Sequence, residues 1–156
     1  MMRFSDSLDR KLEEIKRPPN PPVGHYIWQI NKHPDIDEFT SRAGDDFERI
    51  TFHLTCVGPG DDVDPDELNE YGNVAGYRNR KTFLFADSEA DQANFDRSMF
   101  NLKRFLGHCG VDEGLSLTEG LAASVGAQCL SELTHRPDPE DTEVIYAEVG
   151  TTAEVA

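Results

Sequence analysis

Residues 47–57, "FERITFHLTCV", alternate for eleven positions: Ile50, Phe52, Leu54 and Cys56 fall on one side of an extended chain, and Phe47, Arg49, Thr51, His53 and Thr55 on the other. A period of two belongs to a strand and not to a helix. The first set is the expected core face. A strand that buries one face needs neighbours in a sheet and a second layer across the core, so this stretch commits the chain to a β-rich fold.

The remaining elements follow from the same kind of pattern. "GHYIWQI" (24–30) is aromatic and β-branched, with Tyr26, Trp28 and Ile30 on one face and His25, Ile27 and Gln29 on the other. A polar loop with Pro34, Asp35 and Gly44 is expected next, then the 47–57 strand, an acidic loop, and a third strand in "GYRNRKTFLF" (76–85). Phe95, Met99, Leu102 and Leu106 recur at i, i+4, i+7 and i+11, which predicts an amphipathic helix over 91–106 that stops at Gly107 or Gly110. A turn and a weak strand around 125–135 and a last strand, "TEVIYAEV" (142–149), complete the domain.

The resulting order, β-β-β-α-β-β, is that of the OB-fold, a five-stranded Greek-key barrel with a helix between its third and fourth strands, which commonly binds oligonucleotides or oligosaccharides on the face of strands 2 and 3. A ubiquitin-like or other α+β roll shares the count. Ahead of the barrel, Phe4, Leu8, Leu12 and Ile15 predict an N-terminal amphipathic helix stopped by Pro18 and Pro19, and "RPPNPPVG" reads as an extended linker. The expected organisation is an arm and linker over 1–22, an OB-fold domain over 23–150 and a short tail over 151–156. The apolar side of the arm suits it to fold back on its own barrel or to pack on a second copy in a homo-oligomer.

A length of 156 residues fits one such domain with its arm. No run of about 18 apolar residues is present, and "MMRFSDSLDRKLEEIK" lacks the apolar centre of a secretory signal. Cys56, Cys109 and Cys129 have spacings that suggest no disulfide framework. A cytoplasmic protein without membrane contact is expected.

Charge decides where function is sought. Thirty acids against fifteen bases give a formal charge of −15, which repels a phosphate backbone if spread evenly. It is not spread evenly: 58–70 carries six acids and no base, 137–143 carries four more, and the bases collect at Lys16 and Arg17, at 78–81, and at Lys103 and Arg104. The window 76–85 holds Arg78, Arg80 and Lys81 beside Tyr77, Phe83 and Phe85 without one acid. With Phe47, Arg49 and His53 from the non-core side of the second strand, and Trp28 as a further aromatic candidate, it offers cations for phosphates and rings for bases, as sequence-tolerant single-strand binding requires. Simpler roles stand beside this one: Phe83 and Phe85 as core, the three cations as a solvated edge, and Trp28 as packing.

Other chemistries find less support. Asp62, Asp64 and Asp66 have the spacing that opens a calcium loop, but Glu67 and Asn73 stand where glycine and glutamate are needed. His108, Cys109, Cys129 and His135 are zinc-capable but form no paired-ligand motif. No catalytic motif is present, so neither a metal, a cofactor nor enzymatic activity is expected.

Four stretches, "PPVGHY", "GYRNRKTFLF", "NFDRSMFNLKRFLGHCGV" and "LTHRPDPEDTEVIYAEV", resemble a family of small single-stranded DNA-binding proteins of tailed bacteriophages, over residues 21–150. The resemblance implies an OB-fold that coats single strands in phage replication, recombination or repair in the host cytoplasm, with phage or host replication and recombination proteins as partners. It transfers first to Tyr77, Arg78, Arg80 and Lys81. Many replicative single-strand binders end in an acidic tail closed by an aromatic residue, whereas "TTAEVA" has one acid and no aromatic. The rival expectation is an acidic protein-interaction module or DNA mimic that occupies a host protein's nucleic-acid site.

Overall fold

The structure, a computed structural model, describes residues 3–141 and 144–155. Among the described residues the chain forms six antiparallel strands and three α-helices: β1 Gly24–Ile30, β2 Asp35–Thr40, β3 Asp46–Pro59, α1 Pro65–Tyr71, β4 Arg78–Ala86, α2 Gln92–His108, α3 Leu117–Ala123, β5 Gln128–Pro137 and β6 Ile145–Ala153. The alternation in β3 is realised as expected, with Ile50, Phe52, Leu54 and Cys56 all buried. Tyr26, Trp28 and Ile30 of β1 are buried beside them.

The long strand β3 organises the sheet. Its second half pairs with β1 (Ile30 opposite Leu54) and its first half with β2 (Asp35 opposite Thr51), so β1 and β2 share one edge while β4 takes the other, with Phe47 opposite Ala86 and Thr55 opposite Arg78. Beyond β1 lie β5 and then β6. Register shifts at Ile27/Trp28 and at Ser131/Leu133 bend the sheet on itself. The bend brings β6 back towards β4, but the sheet stays unclosed: among the described residues no ladder joins them, and side chains span the gap, Asn79 Nδ2 to the Ala147 carbonyl (3.1 Å) and Lys81 Nζ to the Gly150 carbonyl (3.0 Å).

Helix α2 covers the core. Leu102, Phe105 and Leu106 are buried, Phe95 and Met99 pack at its margin, and Phe105 meets Phe52 at 4.8 Å and Phe83 at 5.5 Å between ring centroids. Phe83 and Phe85 are core residues. Cys56, Cys109 and Cys129 are buried free thiols, and burial pushes the Cys56 thiol up to about 11. No helix among the described residues is long and apolar enough to cross a membrane.

Several expectations are corrected. The polar loop after β1 contains β2, a hairpin partner of β3 turned through Ser41 and Gly44. All six of its residues are exposed, so no alternation marks it. Helices α1 and α3 add to the expected order; each starts at a polar cap, Asp64 Oδ1 accepting from the Asp66 amide and Ser116 Oγ from that of Glu119. Strand β6 runs on to Ala153, past the expected strand end at 149; positions 142 and 143 of the expected strand lie outside the described residues. The N-terminal amphipathic helix is replaced by two 3₁₀ turns, Phe4–Ser7 and Leu12–Glu14, with Phe4 84% and Leu12 86% exposed. A helix this short is marginal in water unless its apolar face is covered, and here Phe4, Leu8, Leu12 and Ile15 are all exposed.

The acidic segment is anchored rather than loose. The Asp62 carboxylate accepts from the His25 amide (2.7 Å) and pairs with its Nδ1 (2.6 Å), and Val63 is buried. Gly24 permits the approach: at φ +140° a side chain is strained, and a Cβ there would lie 2.8 Å from Val63 Cγ2.

Candidate nucleic-acid interface

On the outer face of β3 the expected cations are already paired. The ladder sets Asp37 of β2 opposite Arg49, and the guanidinium grips that carboxylate through Nε (2.9 Å) and Nη2 (2.6 Å) while lying over the Phe39 ring. His53 Nε2 meets Asp35 Oδ2 at 2.7 Å. The hydrogen bond from His53 holds the Asp35 carboxyl below its usual range, and that from Arg49 does the same for Asp37. Phe47 is half-buried in a hollow that it shares with Glu38, Asp46 and Glu48. This part of the face is electrically balanced or acidic, and it offers a phosphate little.

Strand β4 divides the basic window by its own period. Arg78 and Arg80 point outward and are exposed, and among the described residues neither has a carboxylate at ion-pair distance. Lys81 lies on the opposite face, partly buried in the gap to β6 and over the Phe83 ring, and burial pulls its pKa below the usual lysine range. Its first role is to hold that gap. Tyr77 is half-buried against Trp28, ring centroids 6.2 Å apart, and its hydroxyl accepts from Asn79 Nδ2. Trp28 is corrected as a stacking candidate: it is 0% exposed and donates Nε1–H to the Ser131 carbonyl.

What the fold brings together is an open groove of about 350 Å³ where β4 faces β6. Arg78, Arg80, His53 and Tyr77 line one side, Tyr146 and Ala147 the other, and Arg17 and Asn20 its end; no carboxylate is among the lining residues. The Arg17 guanidinium sits 4.7 Å from the Tyr146 ring centroid. Tyr146 is fixed by a 2.8 Å hydrogen bond to Asp138 Oδ2, which also raises its hydroxyl pKa.

Arg17, Asn20, Asn79 and Tyr146 are not among the residues that the sequence singles out for this site. Arg17 arrives because the proline segment is docked: Asn20 Nδ2 donates to the Ile145 carbonyl (2.7 Å), His135 Nε2 to that of Pro21 (2.7 Å) and Tyr26 Oη to that of Pro22 (2.7 Å). The basic pair Lys16–Arg17 is visible in the sequence, but its destination is not.

Guanidinium groups beside exposed rings bind phosphates and stack bases. The residues weighed for metals serve other ends: Asp62 holds His25, Asp64 caps α1, His108 meets Thr152 Oγ1 at 2.7 Å and His135 holds Pro21. No protein-family model matches the chain, and no curated protein matches its sequence.

Proposed function

We propose that this chain is a non-enzymatic single-stranded DNA-binding protein built on an OB-type barrel, serving replication, recombination or repair of the kind that tailed bacteriophages carry out in a host cytoplasm. In this reading β1 and β2 act as one bent strand along β3, and β4 and β6 are the strands that a full barrel would close. The observation that carries the proposal is the groove itself: in a chain of charge −15, three arginines and two tyrosines converge with no carboxylate among the lining residues.

Arg17, Arg78 and Arg80 neutralise phosphates, and Tyr146, with the accessible part of Tyr77, takes bases on its face. The surroundings select against duplex. A second strand would bring its phosphates towards Asp35, Asp37 and the acidic hairpin, where like charge opposes it.

The test is fluorescence anisotropy of labelled oligo-dT at low and moderate salt, with matched duplex as competitor. Tight binding that weakens with salt, at a slope of roughly −0.7 per phosphate contacted, and that duplex does not displace is the expected result. The Arg78→Ala/Arg80→Ala variant should flatten that slope. Absence of binding even at low salt would overturn the proposal in favour of an acidic protein-interaction module, for which the acidic stretch 58–70 is the natural surface.

A further inference from the structure

The gap between β4 and β6 has a second groove at its other end, of about 480 Å³, and again no carboxylate is among its lining residues. Lys81 and Thr82 supply one wall, Thr151 and Thr152 another, and α2 closes it. Asn94, Ser98, Asn101 and His108 of α2 follow one another at i, i+4, i+7 and i+14, a single helical face with Arg104 at its border. Asp96, the only acid within α2, lies on the far side and accepts from Gln92 Nε2.

Part of this face has a structural duty. Asn94 Oδ1 accepts from the Ala86 amide and Ser98 Oγ donates to the Leu84 carbonyl, which satisfies the outer edge of β4. Asn101 and Arg104 have no such duty. Both are exposed, neither has a hydrogen-bond or ion-pair partner among the described residues, and the Arg104 guanidinium lies beside the Phe100 ring at 5.8 Å. An unpaired cation and an unpaired amide at the border of an acid-free groove are suited to phosphate and sugar oxygens.

We propose that a single strand held by Arg17, Arg78 and Arg80 continues along the unclosed β4–β6 gap and ends on α2, with Arg104 and Asn101 contacting its backbone. This inference rests on the single-stranded DNA reading and adds its path. From Arg78 to Leu84 the track is roughly 20 Å long, at about 3.4 Å per residue of strand. The path avoids the outer face of β2 and β3, where Asp35 and Asp37 already occupy the cations.

Oligo-dT of two lengths tests it, one of about 4 nucleotides and one of about 12, within the span that single barrels of this type accept. In the Arg104→Ala/Asn101→Ala variant the longer oligonucleotide should bind several-fold more weakly, with a salt slope shallower by about 0.7, while the shorter one binds as to wild type. Arg104→Lys, which keeps the charge, should restore the slope. Thermal melts should coincide, because both side chains are exposed. If the double variant equals wild type at both lengths, or loses both equally, the path is wrong, and the primary groove stands so long as Arg78→Ala/Arg80→Ala still weakens binding. If wild type binds neither oligonucleotide, the path and the reading fall together.

Discussion

Lys81 Nζ donates to the Gly150 carbonyl across 3.0 Å, so a side chain and not a backbone ladder ties β4 to β6 at this point. Lys81→Met keeps the apolar stem and removes the donor. The expected loss is about 1 kcal/mol in urea denaturation, because Gly150 retains Ser131 Oγ at 3.1 Å. Burial lowers the Lys81 pKa, so between its folded value and the ordinary 10.5 the unfolded chain binds more protons. Wild-type stability relative to Lys81→Met should therefore rise as pH is raised towards 10.5. Coincident denaturation curves at every pH would show that the gap is held elsewhere.

Asp37 neutralises Arg49 on the outer face of β3, which the proposed path avoids. Asp37→Asn is expected to bind oligo-dT as wild type does, with an unchanged salt slope. The folded Asp37 carboxyl titrates below its ordinary 3.8, so its share of stability is present above that value and lost as pH falls through the folded pKa. That share of the acid limb should vanish in the variant. Tighter binding with a steeper slope would put Arg49 on the strand's path and overturn the route along the β4–β6 gap.

Trp28 is the sole tryptophan and is fully buried on β1, flanked by β3 and β5, so its fluorescence reports on the core. The emission should be that of an indole shielded from water, resistant to acrylamide and little changed by saturating oligo-dT. Strong quenching on binding would put a base against the ring and contradict its burial.

Deletion through Ile15 removes Phe4, Leu8, Leu12 and Ile15, all of them exposed, and stability should stay within about 0.5 kcal/mol of wild type. Deletion through Pro22 should behave differently. It removes Arg17 from the groove and breaks the contacts of Asn20, Pro21 and Pro22, so both thermal stability and oligo-dT affinity should fall. Equal melts for the two truncations would show that the proline segment is not docked in solution.

Local pattern was enough for β1, β3, β4 and α2. Each is an amphipathic element whose period lies within a few residues, and burial of Phe52, Trp28, Phe83 and Leu102 on the expected faces follows from that period alone. The caps of α1 and α3 are also legible, in "DPDE" and "SLTE", although both stretches are expected as loop or turn. Strand β2 was not legible: "DIDEFT" is exposed at every position and is a strand only because the first half of β3 pairs with it. The arm shows the reverse case, a helical stripe left without the partner surface that would make it a helix.

The same division governs the candidate site. The sequence places Arg78, Arg80 and Lys81 on one strand, where all three are expected to meet phosphate; the period of two that separates Lys81 from the two arginines takes effect in the fold, which turns Lys81 into the gap to β6. Only the tertiary structure decided which cations stay free. Register puts Asp37 against Arg49, and a hydrogen bond between Asn20 and Ile145 helps bring Arg17 to Tyr146. Periodicity is a property of neighbours in the chain, whereas the charge left at a surface depends on pairs that meet only after the sheet has formed.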